Sequence, residues 1–190
     1  KVIQPLITDP LSQLAALRTG QVDWHTSVKL MYEEEFKKTN PDMISYQYML
    51  ANLRLVAWKS SPGSRFENRN LRRAMMIGTD IDAVIKAVFL DGEKHVFPFN
   101  SASASVYTPL DQLPASTAEL FSNDPAKAKA ILAAEGYPDG MDIELVIRTD
   151  PEFRDIGELL AAQWKKFGVN TKLITLEVTL HDNMRGTHDY

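Results

Sequence analysis

The feature that most constrains the fold is a strand, a helix and a strand in succession between residues 141 and 176. Residues 141–147 alternate apolar and charged side chains before ending in Val-Ile, which is typical of a strand with one buried face. Residues 169–176 are typical of a second strand, and the stretch 151–167 between them has a helical pattern. Because such a unit joins parallel strands through a right-handed crossover, the sequence predicts an α/β fold.

An Asp-Pro pair precedes three helical patterns, and each pattern ends at a glycine. We expect each aspartate to accept a hydrogen bond at the N-cap and each proline to occupy the first helical position, where no N–H partner is needed. We expect each glycine to take the left-handed conformation that ends a helix. The three patterns run from Asp9-Pro10 to Gly20, from Asp124-Pro125 to Gly136 and from Asp150-Pro151 to Gly168.

Two further helices are predicted between the first and second of these. A short helix covers residues 70–77, and the next has one apolar stripe at helical spacing, with Thr79 as the expected N-cap and Gly92 as the expected stop. The stripe consists of Ile81, Val84, Ile85, Val88 and Phe89.

Two segments lack helical periodicity. Residues 45–58 are rich in aromatic and aliphatic side chains without helix caps, so we expect an extended segment that could contain two consecutive strands. Residues 97–116 contain Pro and Ser at irregular intervals, which predicts an irregular segment packed over the domain rather than a linker.

Length and composition exclude several classes of function. A chain of 190 residues is long enough for one sizeable domain. Its 21 basic and 25 acidic residues give a formal charge of −4, which argues against a nucleic-acid partner. No apolar run approaches the roughly 20 residues of a membrane span. The chain has no cysteine, which excludes disulfides and thiolate chemistry, and its Lys1 start without a leader predicts a mature product or an excised piece.

Catalytic motifs are missing from the sequence. It has no G-x-S-x-G, H-E-x-x-H, Walker or G-x-G-x-x-G pattern, so we predict no enzyme activity and no cofactor. The carboxylate candidates Asp80 with Asp82 and the run Glu33–Glu35 are better explained by a helix start and a solvated helix face. The histidines match no zinc spacing, and we expect surface or capping roles for them. They are His25, His95, His181 and His188.

Arg148 is the strongest candidate for contact with a ligand. It follows the strand 141–147 and precedes the next helix, which is where open α/β sheets bind ligands and where helix N-termini favour anions. A carboxylate would suit this position, and Thr149 shares the loop. The alternative is that Arg148 is a solvated loop residue or pairs with Asp150 or Glu152.

Several aromatic residues could line a ligand pocket. For Trp164, on the apolar side of its helix with Leu160 and Phe167, core packing is favoured over ligand contact. The aromatic candidates are Tyr46, Tyr48, Trp58, Tyr107 and Trp164.

Four segments follow one another in a recognisable order: "LAALRTGQVD" (14–23), "NRNLRRAMMIGTDIDAVIKAVFLDG" (68–92), the Asp-Pro helix leading into "GYPDG" (123–140), and "QWKKFGVNTKLITLE" (163–177). In this order they resemble family 5 of the extracellular solute-binding proteins, the peptide- and nickel-type receptors of ABC importers. The matches in the second segment are Arg72, Ala74, Asp80 and Gly92. The sequence departs from the family where "PGSRF" replaces a shorter Pro-Phe element before that segment.

The resemblance implies a two-lobed periplasmic-binding-protein fold of type II, in which each α/β lobe has a mixed sheet with flanking helices and the ligand lies in the cleft between the lobes. Residues 1–45 would then come from the end of the first lobe and residues 46–190 from the second, since the chain is too short for both. The resemblance also implies a peptide or similar small polar ligand, a membrane permease as partner, and a periplasmic or lipid-anchored extracytoplasmic location. In the family the loop at Arg148 can offer an arginine to a peptide carboxylate. The alternative is an α/β enzyme or sensor domain with an unrecognised site.

Overall fold

The computed structural model describes residues 1–26, 28–47, 54–90, 92–94 and 101–187. This part of the chain contains two strands, eight α-helices and several single 3-10 turns. The elements are α1 Pro10–Arg18, α2 Glu33–Thr39, α3 Arg69–Ile77, α4 Ile81–Val88, α5 Ala115–Ala118, α6 Pro125–Ala134, β1 Met141–Arg148, α7 Pro151–Lys165, β2 Val169–Leu176 and α8 Val178–Thr187.

Strands β1 and β2 are parallel and in full register, from Met141 opposite Val169 to Arg148 opposite Leu176. Two left-handed glycines stand just before the strands, Gly140 at φ +90° and Gly168 at φ +92°. The Met141 N–H donates to the Gly168 carbonyl at 2.9 Å, and a Cβ on Gly140 would lie 2.1 Å from that same oxygen. The close approach of these two segments therefore requires glycine at position 140. The predicted α/β class and the strand–helix–strand unit are confirmed.

The two faces of this pair of strands differ. Helix α7 packs on the face of Ile147 and Leu173, close enough that a Cβ on Gly157 would lie 3.3 Å from an Ile147 methyl group. The opposite face is polar towards the amino end of the strands, where opposed side chains pair across β1 and β2. There Asn170 Nδ2 donates to Asp142 Oδ1 at 2.9 Å, and Lys172 lies 2.8 Å from Glu144.

The core is built from α3, α6, α7 and the strands. Trp164 is 1% exposed, and its Nε1–H donates to Thr79 Oγ1 at 2.9 Å, which in turn donates to the Met75 carbonyl at 2.6 Å. This confirms Trp164 as a core residue. The largest fully buried side chains are Trp164, Phe167, Leu71, Met75, Ile77, Leu132 and Val169.

Two of the three Asp-Pro helices are capped as predicted. Asp9 accepts from the Ser12 N–H at 2.7 Å and Asp124 from the Lys127 N–H at 2.8 Å. All three terminal glycines have positive φ: Gly20 at +68°, Gly136 at +95° and Gly168 at +92°.

The predicted ends of α4 were wrong. Its N-cap is Asp80, which accepts from the Ala83 N–H at 2.9 Å, because the Thr79 hydroxyl is already engaged with Trp164 and Met75. At the other end Leu90, not Gly92, takes the left-handed conformation, with φ +64°. The chain therefore turns before it reaches the glycine.

The extended segment forms no strand at residues 45–47 or 54–58, whereas residues 48–53 lie outside the described part. Val56 and Trp58 pack against the core while Leu55, Ala57 and Lys59 are exposed, so the burial alternates as in a strand. Residues 54–58 have no ladder partner among the described residues, and the predicted strands were wrong at 45–47 and 54–58. Residues 101–116 contain only short turns and the start of α5, which confirms the irregular segment for that stretch.

Helices α1 and α2 form a small unit of their own near the amino terminus. Arg18 lies 2.9 Å from Glu35 and stacks over the Phe36 ring at 5.2 Å. The buried apolar residues of this unit are Ala16, Leu17 and Phe36. Among the described residues, α1 and α2 make at most sparse contacts with the elements that follow Arg65.

Candidate functional site

The carboxyl edge of the sheet carries both predicted ligand residues. Arg148 is the last residue of β1, and the Thr149 N–H continues the ladder by donating to the Leu176 carbonyl at 3.0 Å. The Thr149 side chain is exposed, and that of Arg148 is 28% exposed. Both residues therefore lie where an open α/β sheet presents side chains to a ligand.

Arg148 has an ion-pair partner in the same loop. Its Nε donates to Asp150 Oδ2 at 2.8 Å, which is one of the two pairings left open by the sequence. The Asp150 side chain makes no cap to α7, so that predicted cap was wrong. At the start of the helix the Asp150 carbonyl accepts from the N–H groups of Phe153 and Arg154. The Asp150 carboxylate bonds the Arg148 guanidinium and not an N–H group of α7, because Arg148 leaves the sheet directly beside Asp150.

A second arginine, which no sequence pattern indicated, lies with Arg148 at the Phe153 ring. Arg54 Nε donates to Glu152 Oε1 at 2.6 Å, across 98 residues of sequence. The guanidinium carbons of Arg54 and Arg148 lie 5.4 Å and 5.2 Å from the centroid of the Phe153 ring. We call Arg54 and Arg148 the arginine pair. The first turn of α7 supplies the Phe153 ring and the Glu152 carboxylate that hold this pair, and Asp150 supplies the second carboxylate.

The terminal nitrogens of the arginine pair remain available. Each guanidinium bonds its carboxylate through Nε, and its Nη groups make no hydrogen bond to the residues that the structure describes. The planar Nη fork is the part of arginine that binds a carboxylate with two parallel hydrogen bonds. The edge can therefore accept an anionic group without breaking either internal pair.

Helix α8 adds an acidic neighbour to Arg148. His181 Nδ1 lies 3.2 Å from Asp182 Oδ1. The hydrogen bond with His181 lowers the pKa of Asp182 below its ordinary value of 3.8, and the charges of Arg148 and Arg185 lower it further. Asp182 is therefore ionised near the arginine pair at neutral pH.

The carboxylates that the sequence assigned to structure are confirmed in those roles. Asp80 caps α4, and Asp82 pairs with Lys94 at 2.6 Å. Glu33 begins α2 and pairs with Lys37 at 3.1 Å on an exposed face.

The histidines do not converge. His25 Nε2 is 3.0 Å from Gln13 Oε1, and His181 faces Asp182, whereas His95 and His188 lie outside the described residues. The described part contains no group of three or more His, Asp or Glu side chains that could hold a metal ion. No helix in that part is both long and apolar enough to span a bilayer.

The aromatic candidates do not form a pocket together. Trp58 packs against Phe66 at 4.4 Å and Trp164 at 5.8 Å between ring centroids, so the pocket role was wrong for Trp58, whereas Trp164 lies in the core as expected. Tyr46 is 82% exposed, Tyr107 is half-buried, and Tyr48 lies outside the described residues.

A wide, shallow depression of about 400 Å³ lies at the opposite, amino edge of the sheet. Arg65 stacks over Tyr137 there at 5.5 Å and donates to the Asp142 carbonyl at 2.5 Å. Ligands of open α/β sheets bind at the carboxyl edge, so this depression is a weaker candidate than the arginine pair. Its lining consists of Arg65, Tyr137, Asp139, Gly140, Met141, Asp142 and Asn170.

An α/β body with cationic groups at the carboxyl edge of its strands is typical of ligand-binding lobes, and the structural neighbours are type II periplasmic binding proteins. The chain belongs to family 5 of the bacterial extracellular solute-binding proteins, because a model of the middle region of that family matches residues 1–190. The resemblance found in the sequence motifs is thus confirmed.

Two relatives match much of the chain. Heme-binding protein A of Haemophilus influenzae is 27% identical over 182 residues, which are 93% of this chain and 32% of that protein. The dipeptide-binding protein of Escherichia coli is 31% identical over 112 residues, 56% of this chain and 20% of that protein. This chain thus spans a third or less of these two relatives.

Solved structures show the same fold. HbpA2 of Haemophilus parasuis has a TM-score of 0.68 at 26% identity, over 95% of this chain and 35% of that one. The dipeptide-binding protein of Pseudoalteromonas sp. SM9913, in complex with Met-Leu, has a TM-score of 0.70 at 18% identity, over 97% of this chain and 36% of that one.

Proposed function

We propose that this chain serves in the substrate-binding component of an ABC importer, which captures peptides or similar small polar solutes in a cleft between two lobes and delivers them to a membrane permease. The family assignment supports this role, as do relatives named for dipeptide and heme binding. The family is extracellular by description, which supports a periplasmic or otherwise extracytoplasmic location.

Arg148 and Thr149 are the proposed ligand-binding residues. The observation that carries this proposal is the free Nη fork of Arg148 at the carboxyl edge of β1, within the described residues. A ligand carboxylate can accept two hydrogen bonds from that fork, and Thr149, the next residue along the chain, has an exposed side chain.

Residues 1–45 belong, in this proposal, to the end of the first lobe, and residues 46–190 to the second. The separate packing of α1 with α2 supports that division, since their buried residues lie outside the main core. A hinge between such units is the usual means by which a two-lobed receptor closes on its ligand.

The competing role, an α/β enzyme or sensor domain, requires residues that are already engaged. Asp80 caps a helix and His181 pairs with Asp182, so neither approaches a nucleophile in the described part of the chain. Their engagement favours a binding role over a catalytic one.

Titration calorimetry on the full-length protein with alanyl-alanine tests the carboxylate contact. We expect Arg148→Ala to weaken binding by more than about 1 kcal/mol, or at least fivefold in Kd, because a charged hydrogen bond is lost. Arg154→Ala is the matched control, since it removes an equal charge from an exposed position on α7. Unchanged affinity in Arg148→Ala would rule out the assignment.

A further inference from the structure

We propose that Arg54 is a specificity-determining residue that binds a second acidic group, so that the site prefers solutes with two carboxylates over solutes with one. This inference rests on the proposed function, in which Arg148 binds the first carboxylate. Arg54 comes from the segment that precedes the core, and among the described residues its contacts with Glu152 and Phe153 of α7 bring it into the site.

The two cations are close enough to serve one small ligand. Because both guanidinium carbons lie just over 5 Å from the same ring centroid, the distance between them cannot exceed the sum of 5.4 Å and 5.2 Å. Stacking on Phe153 and the bond to a carboxylate both restrict the rotation of each side chain. The two forks are therefore held in place before any ligand arrives, which lowers the entropic cost of binding.

The charge balance differs between the two arginines. Arg148 bonds Asp150 and is also close enough to Asp182 to lower the pKa of that carboxyl. Arg54 has Glu152 as its ion-pair partner in the described part of the chain. In the described part of the chain Arg54 thus has one acidic neighbour fewer than Arg148, so a further anion meets less repulsion at Arg54.

In Arg54, the atom that bonds the protein is different from the atoms that are available to a ligand. Glu152 accepts a hydrogen bond from Nε, and the Nη groups of Arg54 have no hydrogen-bond partner among the described residues. Arg54 is 39% exposed, which leaves the fork accessible while its stem lies against the protein.

Calorimetry of the full-length protein with alanyl-alanine and alanyl-glutamate tests this inference. We expect the wild type to bind alanyl-glutamate more tightly, and Arg54→Ala to weaken that binding about tenfold while changing alanyl-alanine less than twofold. Arg54→Lys should keep the charge but recover only part of the preference, because an ammonium lacks the planar fork. Arg154→Ala again serves as the control and should leave the preference intact.

A purely structural role for Arg54 gives a different result. If Arg54→Ala weakens both dipeptides equally and lowers the Tm, the residue only tethers its segment to α7 and the inference is wrong. A wild type without preference for alanyl-glutamate also overturns it.

The Arg148→Ala variant separates this inference from the proposed function. That variant should weaken both dipeptides. A loss of selectivity in Arg54→Ala alongside unchanged binding in Arg148→Ala supports the role of Arg54 and rejects Arg148 as the anchor. Failure of the wild type to bind either dipeptide contradicts both proposals.

Discussion

The amino-terminal unit, α1 with α2, and the body from α3 to β2 use the same local signals with different results. Asp9 and Asp124 both cap an Asp-Pro helix, yet α6 contributes Leu132 to the main core, whereas Ala16 and Leu17, the buried residues of α1, are not part of that core. The amino-terminal region also exposes large apolar side chains: Val2, Ile3, Leu6, Leu11 and Trp24. Local capping therefore specifies a helix without specifying how deeply that helix is buried.

Two tryptophans test this contrast with the largest expected effect. Trp164→Ala should destabilise the protein by about 3–5 kcal/mol, because it opens a cavity in the core and leaves the Thr79 hydroxyl without its donor. Trp24→Ala should change stability by less than about 0.5 kcal/mol, since Trp24 is 76% exposed. Urea unfolding followed by circular dichroism measures both. Equal losses would show that the amino-terminal region shares the main core.

The two helix caps give a smaller effect. Asp124→Ala should lower the global stability by about 1 kcal/mol, because α6 packs in the core. Asp9→Ala removes the same kind of bond from α1, and we expect it to reduce amide protection across residues 10–18 without moving the global unfolding midpoint. Hydrogen exchange combined with urea unfolding distinguishes these outcomes. A matching shift of the midpoint in both variants would join the two regions into one cooperative unit.

The pH dependence of stability should show the smallest effect. Glu135 accepts from the side-chain amides of Asn68 and Asn70, each at 2.6 Å, and these bonds lower its pKa below the ordinary 4.5. A carboxyl group whose pKa is lowered by folding stabilises the folded state at pH values above its unfolded-state pKa. This contribution is lost as the pH falls from 4.5 through the folded-state pKa.

Glu135→Gln should therefore be less stable than the wild type at pH 7 and should lose less stability below pH 4.5. Bonding to Ser12 also lowers the pKa of Asp9, but Asp9→Asn should leave the acid dependence of global unfolding unchanged because Asp9 lies in the amino-terminal unit. Thermal unfolding between pH 3 and pH 7 provides the measurement. Parallel acid profiles for Glu135→Gln and the wild type would contradict this account.

Sequence signals predicted those parts of the fold that depend on neighbouring residues. The strand–helix–strand unit and the capped helices α1 and α6 follow from short patterns, and the family motifs supplied the fold class. Helix α8 was missed because Glu177, an unusual capping residue, accepts from the Thr179 N–H at 2.8 Å. Thr79 was misassigned as a cap because a tryptophan 85 residues away uses its hydroxyl.

Of the two arginines in the candidate site, one was predictable from the sequence. Arg148 could be placed at the carboxyl edge because its strand and the following helix are both evident in the sequence. Arg54 could not, since its pairing with Glu152 spans 98 residues and its own segment shows no strand in the described part. Contacts of that range depend on how the chain returns to α7, which no local pattern encodes.

The glycines before β1 and β2 set the position of Arg148 from the far end of the sheet. Gly140 and Gly168 allow the two segments to approach closely where Met141 lies opposite Val169, and a slip by one residue would turn every β1 side chain to the opposite face. The arginine emerges after the eight residues of β1, counted from that fixed start. The length of β1 thus sets the distance between Gly140 and Arg148, and the loops at the carboxyl edge can change in sequence without moving the arginine along the sheet.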